Sequence, residues 1–320
     1  MWRIAVVMKW RWDLLYAFSS LPSVGLPLLL SRRFLKGRSI IADWDDLFCD
    51  GGSYEYLNRG WTRPIYRFER WLEITTRKQA DGVTVTSQYL LEKAKAIRQD
   101  DHIAYVPTGA DVKTIPCYGK AQARKSVPVP AGKVVLVYAA SGLCEDGVLL
   151  LKALVIALKS VPNLHLIMVT KYDEKIMRLL REFSLEGAVT VTGWIPYAKI
   201  ACRLGVADIL MAPMEDSVSS RARGPIKLRD YLCAGRPIVG TALGEVNHVL
   251  SQFKVGRLAG LSPEDFAGTI VKLAREPAAW DELGRKARRV AECELSWDVM
   301  GDRIERSVAS WCGTACVSKG

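Results

Sequence analysis

One stretch places everything else in this chain: Gly224-Pro225-Ile226-Lys227-Leu228-Arg229-Asp230-Tyr231-Leu232-Cys233-Ala234-Gly235-Arg236-Pro237-Ile238-Val239-Gly240-Thr241. It predicts a short helix that runs at once into a buried strand. Pro225 suits the first helical position, where its missing N–H costs nothing. Gly235 sits where a left-handed residue ends a helix, and Pro237 prevents continuation. Ile238-Val239 is the short apolar run of a parallel strand. Arg221, Arg223 and Lys227 crowd the predicted helix start, where the backbone dipole already supplies about half a positive charge. Folding gives no reason to put cations there. A bound phosphate does, because free N–H groups make that end an anion site. Asp230 leans back over the first turn, as helical side chains do, and can take ribose hydroxyls beside that phosphate. An ordinary solvated helix with a fortuitous charge run remains the other reading of these residues.

Composition bounds the rest. The chain has 320 residues, 49% of them hydrophobic, enough for two α/β cores. Of the net charge of +11, residues 1–132 carry +7, as 20 Lys/Arg against 13 Asp/Glu. An excess of that kind suits an anionic partner such as a nucleotide or an anionic headgroup. Nucleic acid is not expected as the partner, being the weakest of the anionic candidates because no recognised binding motif accompanies the charge, and a generic basic surface is the other reading. The eight cysteines are scattered with no Cys-x-x-Cys pair, which reads as reduced thiols in a cytoplasmic protein and not as a zinc site. Leu14 to Leu30 is apolar but broken by serines, prolines and a glycine, so it does not read as a membrane span. The opening, with Trp2, Trp10 and Trp12 among Arg3, Lys9 and Arg11, suits either a peripheral membrane contact or an edge strand on Ile4 to Val7.

Strand and helix signals alternate along the whole chain. Strands are expected at 14–17, 39–42, 83–86 and 103–106, with helices at 27–35 and 60–80 and a third capped by Ser87. The 60–80 helix reads as amphipathic, its apolar set being Trp61, Ile65, Phe68, Trp71 and Leu72. A linker runs from Gly119 to Lys133. Further strands are expected at 134–138, 164–169, 189–191 and 209–212, with helices at 149–159, 174–183 and near Ile200. Such alternation means parallel sheets with ligands at the carboxyl ends of the strands.

The opening stretch resembles the nucleotide-binding helix of GT-B glycosyltransferases, particularly glycosyltransferase family 4, through Pro225, Lys227, Leu228, Asp230, Tyr231, Ala234, Gly235, Pro237 and Val239. "IAYVPTGADV" is similar to the end of that family's first domain, with Thr108 in place of the usual Asn. "ADWDDL" falls where relatives carry Asp-x-His-Asp, and Asp45 takes the histidine's place; turn chemistry is the other reading of Asp45 and Asp46. The resemblance implies two Rossmann-like parallel-sheet domains. Residues 1–126 would form an acceptor-side domain, 127–295 a nucleotide-sugar-binding domain, and 296–320 a helix crossing back to the first. It further implies a retaining transfer from a nucleotide-sugar to a glycan or lipid-linked acceptor, with no cofactor and no metal. Arg223, Gly224, Ile226 and Lys227 would hold the diphosphate together with Ser141, and Asp230 the ribose. Trp194, Ile195 and Pro196 would line the base, and Asp45 and Asp46 would face the sugar, so that Asp45, Asp46 and Lys227 serve catalysis.

Two departures belong to that expectation. The first domain looks short at its N-terminus, because 12 residues cannot hold the missing strands and their crossovers; an incomplete sheet would call for self-association or a partner chain. The turn after the 134–138 strand carries Ser141 and Asp146 where relatives place cations, and Ala222 stands where the family's paired glutamate would be. A non-catalytic or split-enzyme subunit is therefore the alternative, and a GT-B epimerase a third.

Overall fold

A computed structural model of the chain describes residues 12–34 and 39–312. The expected strand on Ile4 to Val7, Trp2, Trp10 and the basic residues among them lie outside the described residues, as do Cys316 and the end of the 27–35 helix. The chain divides into two compact units. One holds the described residues up to Thr108, with Ser217–Gly224 and the chain from Asp298 onward; the other holds Gly109–Asp216 and Pro225–Trp297.

The first unit carries four parallel strands, β1 (Leu14–Phe18), β2 (Ser39–Trp44), β3 (Gly82–Val85) and β4 (Ile103–Tyr105), paired in chain order. Parallel pairing needs crossovers, and helices Pro22–Phe34, Arg63–Gln79 and Gln88–Ile97 supply them. The first begins five residues before the position expected, because Pro22 takes the first turn and Pro27 is carried inside the helix. Ser87 caps the Gln88 helix as expected, its hydroxyl accepting the Leu90 N–H at 3.2 Å. Trp44, Leu28, Ile40, Val83, Val85 and Leu90 form the core. Gly82 is held to glycine by Trp311, whose ring a Cβ there would meet at 2.0 Å.

The Arg63–Gln79 helix departs from its expected amphipathic face. Of the five apolar residues named for it, only Leu72 is buried; Trp61, Ile65, Phe68 and Trp71 are exposed. The buried face is instead Tyr66, Leu72, Glu73, Thr76 and Arg77. Glu73 is paired there by design of the chain around it: its carboxylate accepts from Trp44 Nε1 at 3.1 Å and from the N–H groups of Phe48 and Cys49, both at 3.0 Å. Arg77 lies 5.0 Å over the Trp44 ring and donates to the carbonyls of Asp43 and Glu73. A buried charge must be paired and hydrogen-bonded, so this network sets which side of the helix faces inward. It also fixes the loop bearing Asp45 and Asp46.

The second unit holds six parallel strands, β5 (Val134–Ala139), β6 (Leu164–Val169), β7 (Val189–Val191), β8 (Ile209–Ala212), β9 (Ile238–Thr241) and β10 (Gly256–Ala259). Their order is β10-β9-β8-β5-β6-β7, so the chain reverses direction across the sheet between β5 and β8. Ligands of open α/β sheets bind outside the carboxyl ends of strands at such a point. The strands predicted among the described residues are found, and each sheet is parallel throughout, as expected. The expected linker 119–133 contains a helix, Lys120–Ser126. The helix expected from Leu149 starts at Glu145, because Glu145 and Asp146 complement the dipole of a first turn.

Candidate nucleotide site at the carboxyl end of the second sheet

The deciding helix spans Ile226–Ala234. Pro225 is its N-cap with extended backbone, one residue earlier than expected, since its fixed φ of −68° is equally suited to that place. Gly235 ends the helix in the left-handed conformation, φ 63°, as expected. A Cβ there would also meet Cys117 Sγ at 2.7 Å. Tyr231, fully buried, joins the helix to the sheet: its hydroxyl accepts the N–H of Ala139, the last residue of β5, at 2.8 Å.

That tether brings the start of the helix to the reversal point of the sheet. Lys227 Nζ lies 4.5 Å over the Tyr138 ring, 3.5 Å from its hydroxyl, and 3.7 Å from Asp146 Oδ2. Asp146 is buried in the first turn of the Glu145–Ser160 helix, and its other oxygen accepts the Glu215 N–H at 2.9 Å. Two helix N-termini therefore converge beside one ammonium and one carboxylate. Lys227 is not a cation left opposing its own dipole; Asp146 offsets it. The residue that sequence reasoning noted only as a missing cation is the ion-pair partner of the cation that remains.

A phosphate placed at these N-termini would compete with Asp146 for Lys227. Removing a charge about 5 Å from a phosphate is worth roughly 1–3 kcal/mol at intermediate dielectric. Asp146→Asn keeps the acceptor for Glu215 N–H, so it should tighten nucleoside diphosphate binding about tenfold with little change in fold. Isothermal titration of both forms checks this, and unchanged or weaker binding contradicts the competition.

Asp230 lies on the same helix, buried, with Oδ1 accepting the Tyr197 hydroxyl at 3.0 Å. Burial lifts its carboxyl from the ordinary 3.8 to about 6; the Tyr197 hydrogen bond opposes the rise and the charge of Asp111 adds to it. Tyr197 follows directly on Trp194, Ile195 and Pro196, of which Trp194 is 69% exposed. Sequence reasoning stopped at Pro196 and missed Tyr197 and Asp111, because their approach to Asp230 is made by the fold and has no local signal. Ser141 is exposed in the loop after β5, and Ile226 is exposed at the helix start.

The remaining named residues belong to the first unit. Arg221 lies in a separate short helix, Val218–Ala222, which Arg223 ends, an element that the sequence reading did not expect before the Ile226–Ala234 helix. The chain breaks between them because Arg223 and Pro225 are both extended. Gly224 passes close to the Thr86 carbonyl, which a Cβ would meet at 3.1 Å. Asp45 is exposed and its Oδ1 accepts the Asp46 N–H at 2.9 Å, which is turn chemistry. Partial burial and the charge of Asp45 raise the Asp46 carboxyl, and Arg223 opposes the rise. Deeper in the same unit, burial raises Asp43 to about 6 against its hydrogen bond with Thr84. Among the described residues no group of three or more His, Cys, Asp or Glu is placed to hold a metal ion, and no helix is long and apolar enough to cross a membrane.

Residues 133–276 match the family model of glycosyl transferases group 1. A curated relative, the GDP-mannose-dependent monoacylated alpha-(1-6)-phosphatidylinositol monomannoside mannosyltransferase of Corynebacterium glutamicum, is 23% identical over 242 residues. The match takes in 72% of this chain and 63% of that protein's length. Among solved structures, sucrose-phosphate synthase from Thermosynechococcus elongatus superposes with a TM-score of 0.76 at 18% identity, over 96% of this chain and 75% of that one. Anabaena Alr3699/HepE in complex with UDP gives 0.74 at 14% identity, over 96% and 80%.

Proposed function

We propose, from the premise that this chain has the GT-B fold and that its residues 133–276 belong to the group 1 glycosyl transferases, that it moves a sugar from a nucleotide-sugar to a lipid-linked acceptor with retention of anomeric configuration. The observation that carries the reading is Lys227 and Asp230 on one helix, which Tyr231 ties to the end of β5 beside the reversal point of the second sheet. In this reading the N–H groups of Ile226 and Lys227, with the Lys227 ammonium, take the diphosphate. Asp230 accepts the ribose hydroxyls, and Trp194 to Pro196 line the base with Ser141 nearby on the donor side. Arg223 and Gly224 serve the diphosphate and Asp45 and Asp46 the sugar. The ammonium and the helix dipole stabilise charge that develops on the leaving diphosphate, the work a metal does elsewhere. The lipid-linked acceptor is suggested by the mannosyltransferase relative, whose name gives a phosphatidylinositol monomannoside as its substrate.

The test is a product assay across GDP- and UDP-sugars with glycolipid and oligosaccharide acceptors, read by nucleotide release and by the anomeric coupling of the product. A glycolipid of retained configuration is expected. The Asp146 carboxylate beside Lys227 favours a second reading, a chain that binds nucleotide without transferring sugar. Nucleotide binding with no product from any donor would establish that one instead.

The Asp230 assignment has a pH signature. Ribose hydroxyls donate best to an ionised carboxylate, and Asp230 ionises near 6. Affinity for a nucleotide-sugar should therefore fall as pH drops from about 7 to about 5. The stability of the free protein responds with the opposite sign. Its folded carboxyl holds the proton more tightly than the unfolded one, so this group's penalty is absent at low pH and grows as pH rises through about 4 to about 6. Asp230→Asn should bind the nucleotide-sugar roughly 10–100-fold more weakly, the loss of a charged hydrogen bond, and with a flat profile over that range. A mutant that keeps the wild-type affinity and slope takes Asp230 out of the ribose role.

A further inference from the structure

We propose that the second unit carries a separate site for a small soluble phosphate-bearing anion, at the amino end of its sheet. A cavity of about 390 Å³ opens there, within the size range of small-molecule sites. Asp208 and Pro237 line it, and they immediately precede β8 and β9, so it lies at the end of the sheet away from the nucleotide site. Every lining residue belongs to the second unit, and none is assigned above to the nucleotide or the sugar. The wall is cationic. Lys120, Arg236, Arg285, Arg288 and Arg289 contribute to it against Asp208, Asp281 and Glu292.

Two of the three acids are already engaged. Asp208 is shared by two cations, Lys120 Nζ at 2.7 Å and Arg124 Nη2 at 2.8 Å, and it also accepts the Val135 N–H. Glu292 is taken by Arg288 at 2.6 Å. Arg236 is half-buried and ion-pairs with no carboxylate among the described residues; it donates instead to five carbonyls, those of Tyr118, Gly205, Ala207, Ala234 and Gly235. Carbonyls satisfy its N–H groups but not its charge, and burial holds the guanidinium below the usual arginine range. Helix capping explains part of this pattern. Arg236 and Arg288 donate to the Ala234 and Cys233 carbonyls at the end of the Ile226–Ala234 helix, where cations belong. Capping does not explain Arg285 and Arg289. They are four residues apart on one face of the Trp280–Cys293 helix, exposed at the cavity, and neither makes a hydrogen bond or ion pair among the described residues. A Cβ at Gly284 would meet the Gly235 carbonyl oxygen at 2.4 Å, so the two helices touch backbone to backbone and the arginines of one reach the end of the other. Two unengaged guanidiniums beside a third whose charge is undercompensated suit a phosphate, whose oxygens match arginine's planar fork.

Cys117 supplies a reporter, since its thiol is exposed in the cavity wall, 3.4 Å from the Ala234 carbonyl oxygen. Cys293 is exposed as well and lies outside the cavity. Alkylation of the full chain, followed by mass spectrometry of the peptides bearing these two cysteines, tests the proposal. The rate with iodoacetate, an anion, divided by that with neutral iodoacetamide cancels each thiol's own reactivity and reports the local potential. That ratio should be about tenfold higher at Cys117 than at Cys293 and should sink toward it as salt is added. Saturating pyrophosphate should slow iodoacetate labelling of Cys117 at least about tenfold beyond sodium chloride of equal ionic strength, and leave Cys293 unchanged. Arg285→Gln with Arg289→Gln, folded by circular dichroism, should lose that protection, whereas Lys227→Ala should keep it. The Lys227→Ala arm separates this site from the nucleotide site, so failure of the transfer reading leaves the test standing. The proposal is overturned, on the wild type alone, if pyrophosphate protects Cys117 no better than sodium chloride does. It is equally overturned if the arginine pair is protected like wild type, or if Lys227→Ala abolishes protection, since the anion would then act from the nucleotide site.

Discussion

Lys227→Ala is expected to lower the turnover of sugar transfer about 10²–10³-fold, the loss measured when one preorganised donor to a developing negative charge is removed. Lys227 is the cation that the second unit brings to the start of the Ile226–Ala234 helix, and its ammonium is held in place from two sides, by the Tyr138 ring and by Asp146. Held groups cost no reorganisation when charge develops. The same geometry predicts a stability cost, because the buried Asp146 carboxylate loses its ammonium partner. Steady-state kinetics should show the loss mainly in kcat, with a smaller rise in KM for the donor. Lys227→Arg, which keeps the charge but changes its shape, should recover part of the turnover. A mutant that transfers at the wild-type rate removes Lys227 from catalysis.

Glu245→Ala should destabilise the second unit by about 3–5 kcal/mol, the cost of breaking a buried ion pair by deleting one partner. Arg229 Nη2 donates to Glu245 Oε1 at 2.8 Å, and the two side chains are 2% and 0% exposed. Arg229 lies on the Ile226–Ala234 helix and Glu245 in the first turn of the helix after β9, so the pair locks the first helix against the element that follows the strand. Replacing both, as Arg229→Met with Glu245→Leu, should restore most of the stability, because an apolar pair of similar volume carries no desolvation cost. Denaturant unfolding followed by a probe in the second unit separates its transition from that of the first. Equal destabilisation by the single and the double change would show that the charge pair is not the cause.

What could be read from the sequence was local. The left-handed Gly235, the cap at Ser87 and the strand at Ile238 each depend on neighbours within a few residues, and each is found as expected. The start of the Glu145 helix is equally local, since Glu145 and Asp146 are first-turn acids, but the sequence reading takes Asp146 only as an absent cation. Of the candidate site, the sequence shows the one helix that carries Lys227 and Asp230. Asp146, Tyr138, Tyr197 and Asp111 reach it through the sheet from other parts of the chain, and no spacing announces that. The exposed face of the Arg63–Gln79 helix shows a second limit. Hydrophobic spacing gives a stripe, whereas the inward face was chosen by a buried glutamate whose partners lie at positions 44, 48 and 49.

The central claim is that the second unit grips a nucleoside diphosphate through Lys227 and Asp230. Calorimetric titration of the full chain with GDP and UDP, for the wild type and for Lys227→Ala and Asp230→Asn, tests it most directly. The account predicts one saturable site for at least one of the two nucleotides, weakened roughly tenfold or more by either substitution. No binding by the folded wild type, or binding that both variants share unchanged, would contradict it.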